Sequence, residues 1–191
     1  MIKSIFTNLQ KKSVLQEIAE YRDYLREHPK LRFLFFELTD SCNLNCLHCG
    51  SNCLSSNSSF LSFGLIKKTL DEVAAAYNTK DIWVCITGGE SFLHPDLVEI
   101  VSYSHQLGFN CGITSNGTLI TEDLAAKLAD AGLDTITISI DGLEESHESF
   151  RNRKGCFDLA KNGFILSDKR RNNQPHERFW NCLLRSNSSF Y

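Results

Sequence analysis

The feature that most constrains this chain is a repeated alternation of short apolar runs with helical segments, each run closing on small or polar residues. Residues 31–38 (LRFLFFEL) form a nearly continuous apolar run, which predicts a strand covered on both sides. After a loop rich in Cys, Ser and Asn, residues 61–77 return to helical spacing through Leu65, Leu70 and Val73. The theme recurs as a strand at 81–87 (DIWVCIT) with a helix over 96–107, then a strand at 110–114 with a helix over 121–131 that Gly132 stops. A fourth run, 135–140 (TITISI), is followed by a helical stretch over 156–166. Repeated strand-helix units imply parallel strands joined by right-handed crossovers, so the fold class is α/β.

In such folds ligands sit beyond the C-terminal ends of the strands. The unusual residues of this sequence fall there. CNLNCLHC (Cys42, Cys46, Cys49) follows the first strand, GGES (Gly88, Gly89, Glu90, Ser91) the second, SNG (Ser115, Asn116, Gly117) the third and SIDG (Ser139 to Gly142, with Asp141) the fourth. Taken singly, the glycines open a bend, Asn-Gly is turn chemistry and Asp141 caps a helix. Their shared position on one rim points to a common site.

Three thiols spaced C-x3-C-x2-C on one loop can converge on a soft metal centre, and iron-sulfur clusters take thiolate ligands. Two alternatives use the same loop. One is a closed zinc site completed by Cys53 or His48; the other is a fully ligated electron-transfer cluster held by Cys42, Cys46, Cys49 and Cys53. Compartment bears on this choice. The chain has 8 Cys in 191 residues, an N-terminus without a signal-peptide core, and no apolar run of the roughly 20 residues a membrane span needs. These features predict a reducing cytoplasm, where clustered cysteines bind metal or do chemistry. A formal net charge of −3 gives no electrostatic reason to expect nucleic acid or an anionic membrane as partner. Cys85 and Cys111 lie in strands and read as small core residues.

The order CNLNCLHC, GGES, TSNG and SIDG resembles the radical S-adenosylmethionine superfamily, in particular its peptide- and protein-modifying branch, whose members often carry a further C-terminal iron-sulfur (SPASM-type) domain. The resemblance spans residues 33–157. It implies a partial parallel (β/α) barrel of about six units, of which four are present here. It implies that Cys42, Cys46 and Cys49 ligate a 4Fe-4S cluster whose remaining iron chelates S-adenosylmethionine. Gly88, Gly89 and Glu90 would then receive the methionine ammonium, with Ser115, Asn116 and Asp141 as ribose and carboxylate contacts. His48 would pack near the adenine. The stretch DGLEESHESFR matches a family pattern that places Asp141, His147 and Arg151 together, with Arg151 as a fork for the cofactor carboxylate or else a solvated arginine on a charged loop. The chemistry implied is reductive cleavage of the cofactor to a deoxyadenosyl radical that abstracts hydrogen from a substrate, a peptide or protein being one candidate. The electron would come from a low-potential donor, flavodoxin or ferredoxin. The competing function is a non-catalytic metal-binding module.

The organisation expected is an N-terminal segment over 1–30 whose residues 13–28 form an amphipathic helix, with Val14, Ile18, Tyr21 and Leu25 on one face and Pro29 ending it, a core over 31–167, and an atypical tail over 168–191. From Asp168 onward the tail carries five basic and two acidic residues and no apolar run of strand type. No fifth strand is therefore expected. TITISI would be left as an exposed edge, with Phe179, Trp180, Leu183 and Leu184 as a short helix over it. The tail reads as the product of truncation or a shifted reading frame, the alternative being a short variant that completes its sheet with a partner chain.

Overall fold

Apolar residues spaced at one helical period and a proline stop account for the first element of the computed structural model, which describes residues 2–51, 53, 59–171 and 183–185. Helix α1 (Ile2–Glu27) starts well before the expected position. It ends with the His28 N–H donating to the Tyr24 carbonyl at 2.9 Å and the two rings stacked, just before Pro29 bars another turn. This helix belongs to a separate unit, residues 1–32.

The second unit is an open, wholly parallel sheet in the order β1-β2-β3-β4-β5. Strands β1 (Phe33–Glu37), β2 (Trp83–Thr87), β3 (Asn110–Ser115) and β4 (Thr135–Ser139) alternate with α2 (Phe63–Ala76), α3 (Leu97–Gln106), α4 (Glu122–Asp130) and α6 (Cys156–Arg171), with α5 (Glu144–Arg151) inserted before α6. Adjacent order in sequence and space is what singly wound crossovers produce. Ser62 and Thr121 cap α2 and α4 by accepting from the N–H groups of Leu65 and Leu124.

Burial alternates along β1, β2, β3 and β4. Phe36, Val84, Ile86, Cys111, Ile113, Ile136 and Ile138 are buried, as are Ile66, Leu70, Ile100 and Leu128 from the helices that pack on this face. Each such aliphatic side chain contributes on the order of 1.5–3 kcal/mol. The other face carries Phe33, Phe35, Trp83, Cys85, Gly112, Thr114, Thr135 and Thr137, none of them buried. Phe33 and Phe35 are 59% and 67% exposed. The expectation of a strand covered on both sides is therefore corrected: among the described residues, helices cover one face only. Cys85 lies half-buried on the open face, whereas Cys111 is a core residue as expected.

The fourth unit and the tail also differ from expectation. Residues 144–151 form helix α5 rather than a charged loop, with Asn152 in the left-handed region ending it. Strand β5 (Leu183–Arg185) pairs parallel to β4, with Thr137 opposite Leu183 and Ser139 opposite Arg185. So β4 is not an edge, and Leu183 and Leu184 are strand rather than helix. The pairing covers Thr137, Ile138 and Ser139 of β4. Phe179 and Trp180 lie outside the described residues.

Candidate functional site

The loop from Ser41 to Cys53 leaves the C-terminal end of β1, and three neighbouring segments fix its position. Toward β2, the Gly89 N–H donates to the Thr39 carbonyl at 2.7 Å and the Glu90 N–H to the Ser41 carbonyl at 2.8 Å. A side chain at Gly89 would place its Cβ 2.0 Å from the Ser41 carbonyl oxygen, so only glycine permits this approach. Gly88, at φ +140°, lies against Thr39 in the same way. Toward β3, the Asn116 side-chain N–H donates to Asn43 Oδ1 at 2.8 Å, and the Asn43 amide donates to Thr118 Oγ1 at 2.8 Å. Toward α5, the Leu47 N–H donates to the Phe150 carbonyl, and Arg153 to the Asn43 carbonyl.

These ties bring residues from all four rims around one cavity of about 380 Å³. Cys42, Cys46 and Cys49 line it, with Gly88, Gly89, Ser115, Asn116 and Arg151. Glu90 and Asp141 do not line it and stand behind it. Glu90 is 1% exposed, and its two oxygens accept from Ser115 Oγ at 2.7 Å, the Asn116 N–H at 2.8 Å and the Phe92 N–H at 3.2 Å. Burial pushes its carboxyl upward, while those hydrogen bonds and the Arg151 charge pull the other way. Asp141 accepts from Arg151 Nε at 2.6 Å, and its own N–H donates to His147 Nδ1 at 3.2 Å. Burial and the Arg151 cation push His147 down, which keeps its ring neutral. Its Nε2 is buried without a partner.

Arg151 is buried rather than solvated. Its guanidinium is divided between the Asp141 carboxylate, the Ser139 carbonyl at 3.3 Å and Cys46 Sγ at 3.6 Å. Cys42 Sγ accepts from the Leu44 N–H at 3.4 Å and from Asn116 Nδ2 at 3.8 Å. Cys49 and Cys53 are 4.0 Å apart, sulfur to sulfur, and burial with the neighbouring thiols pushes Cys53 up to about 11. His48 stands edge-on to Phe150 with Nε2 3.8 Å from Asp141 Oδ1.

Four thiols line the cavity, Cys53 with Cys42, Cys46 and Cys49, and two of them, Cys42 and Cys46, already receive N–H donors; such a set fits a thiolate-held iron-sulfur cluster. Sequence reasoning missed Asn43, Thr118 and Arg153. They occupy the variable positions of the motif and a surface loop, and only the partner loops give them meaning.

Residues 36–170 match the Radical SAM superfamily. The chain is 38% identical over 140 residues to AdoMet-dependent heme synthase of Methanosarcina barkeri (strain Fusaro / DSM 804), covering 72% of this chain and 39% of that one. It is 34% identical over 145 residues to the antilisterial bacteriocin subtilosin biosynthesis protein AlbA of Bacillus subtilis (strain 168), covering 74% and 32%. The fold matches the structure of native anSMEcpe with bound AdoMet at a TM-score of 0.62 and 23% identity, over 74% of this chain and 42% of that one. It matches Streptococcus suis SuiB bound to S-adenosylmethionine at 0.60 and 18% identity, over 81% and 37%. The chain thus spans about two fifths or less of the length of these relatives. Members of the superfamily bind a 4Fe-4S cluster and S-adenosylmethionine. The family match together with the shared fold establishes that this chain belongs to the radical SAM superfamily.

Proposed function

We propose that this chain carries the cofactor-binding half of a radical S-adenosylmethionine enzyme, in which Cys42, Cys46 and Cys49 hold a 4Fe-4S cluster. The observation that carries the reading is the single cavity lined by the three thiols, the Gly88-Gly89 edge, Ser115, Asn116 and Arg151. When bound, the cluster and S-adenosylmethionine supply one-electron cleavage of the sulfonium and hydrogen-atom abstraction from substrate.

This chain's own residues bind and orient. The Gly88-Gly89 edge presents backbone at close range to the cofactor ammonium, and Glu90, one residue on, holds Ser115 and Asn116 in place by its three hydrogen bonds while adding negative charge behind that edge. Ser115 and Asn116, which line the cavity, would contact the ribose. Asp141 fixes the guanidinium of Arg151, which would be the group to receive the cofactor carboxylate. Relatedness to AlbA, a bacteriocin biosynthesis protein, supports a peptide or protein substrate, and the electron donor would be a flavodoxin or ferredoxin.

The proximity of Cys53 to Cys49 favours one alternative, a non-catalytic module in which Cys53 completes a zinc site or a saturated cluster. Anaerobic reconstitution with iron, sulfide and zinc analysis separates the two. Four irons, S-adenosylmethionine binding and no effect of Cys53→Ala support the proposal. One zinc and no iron overturns it. Deoxyadenosine formed on adding dithionite and S-adenosylmethionine would show that these residues suffice for cleavage.

A further inference from the structure

The cofactor reading gives Arg151 the carboxylate of S-adenosylmethionine, and in the structure three of the five guanidinium N–H donors are already engaged within the chain. Its Nε is held by Asp141 at 2.6 Å, Nη2 by the Ser139 carbonyl at 3.3 Å, and Nη1 stands 3.6 Å from Cys46 Sγ. At Cys42 the N–H donors, Leu44 N–H and Asn116 Nδ2, are neutral. Arg151 is thus a fixed cation on a ligating sulfur, only 8% exposed, with Asp141 as its counter-charge. Burial limits solvent screening, and hydrogen bonds to cluster sulfurs together with local charge set the potential of iron-sulfur centres.

We propose that Arg151 acts through Cys46 as a positioning residue that raises the reduction potential of the cluster, and that Asp141 limits the rise. The proposal rests on the cluster reading given above. Reduction adds one electron and no proton, so the site becomes one unit more negative, and a neighbouring cation stabilises that state. Removing Arg151 leaves the Asp141 carboxylate facing the site and lowers the potential. Neutralising Asp141 leaves the cation uncompensated and raises it. Because the two effects have opposite signs, they differ from a general loosening of the loop, which would move both variants the same way.

The test uses the full chain, anaerobically reconstituted and free of S-adenosylmethionine, titrated against dithionite with redox mediators and followed by the electron paramagnetic resonance signal of the reduced cluster. Arg151→Gln should lower the ratio of reduced to oxidised cluster at fixed potential about tenfold, equal to ~59 mV for one electron. Arg151→Lys should fall between Gln and the wild type, and Asp141→Asn should shift the opposite way. Should the Gln variant not load iron, the Lys and Asn variants decide by the same signs. Loaded variants with the wild-type midpoint, or shifts of one sign in all of them, overturn the proposal. So does a midpoint unchanged without S-adenosylmethionine alongside weakened binding of it, the result expected of a pure carboxylate fork. A wild-type chain that takes up no iron and sulfide fails the cluster reading itself, which is a distinct outcome.

Discussion

Replacing Gly89 by alanine puts the contact between the GGES turn and the cysteine loop under direct strain. The added Cβ would lie 2.0 Å from the Ser41 carbonyl oxygen and 2.5 Å from its carbon, both backbone atoms with no rotamer to turn away. Restoring even a tight contact of about 3 Å requires the two segments to part by roughly 1 Å. That opening acts on the two hydrogen bonds joining them, Gly89 N–H to Thr39 at 2.7 Å and Glu90 N–H to Ser41 at 2.8 Å, and stretches both out of useful range. At about 0.5–1.5 kcal/mol each, the loss is roughly 1–3 kcal/mol, and at about 2–4 °C per kcal/mol for a unit of this size the melting temperature should fall by several degrees. Ser41 is bonded to Cys42, so the same displacement moves a ligating thiol and iron loading should drop with stability. Thermal unfolding by circular dichroism and iron-sulfide analysis after reconstitution read the two effects. Gly64→Ala is the control: its Cβ meets nothing within 4 Å, and in helix α2 the change should stabilise by roughly 0.5–1 kcal/mol. A Gly89→Ala protein with wild-type melting and a full cluster would refute the reasoning.

Serine at Cys42, Cys46 or Cys49 should abolish iron and sulfide uptake together with S-adenosylmethionine binding, and Cys53→Ala should leave both intact, as judged by metal analysis and equilibrium binding. Glu90→Gln offers one acceptor oxygen where the carboxylate offers two to three donors, so an N–H of Phe92 or Asn116 is left facing a donor; denaturant unfolding should show a loss of about 1–3 kcal/mol. His147, pushed down by burial and Arg151, stays neutral in the folded chain where the unfolded chain takes up a proton, so its contribution is present above the ordinary histidine value and is lost as pH falls through it. Denaturant midpoints at about pH 7 and about pH 5.5 should converge in His147→Gln relative to the wild type.

What the sequence made legible depended on how each signal is written into it. The thiol triplet and the four rim motifs could be read because spacing and chain order alone place them beyond the strand ends, and the cavity does gather Cys42, Cys46, Cys49, Gly88, Gly89, Ser115, Asn116 and Arg151. Strand β1 was harder. In FLFFE nearly every position is apolar, so the period-two alternation that the structure reveals, with Phe36 buried and Phe33 and Phe35 exposed, leaves no trace in the letters. Helix α5 is hidden for the converse reason. EESHESFR is polar almost throughout, and the residues that bury it, His147 and Arg151, count as surface types until a buried carboxylate is found for them. Glu90 and Asp141 share that logic. Both were expected at the cofactor, and in the structure each holds groups that line the cavity. A carboxylate whose two oxygens accept three protein donors gives the rim its geometry, so charge at such a site acts first through position and only then through attraction.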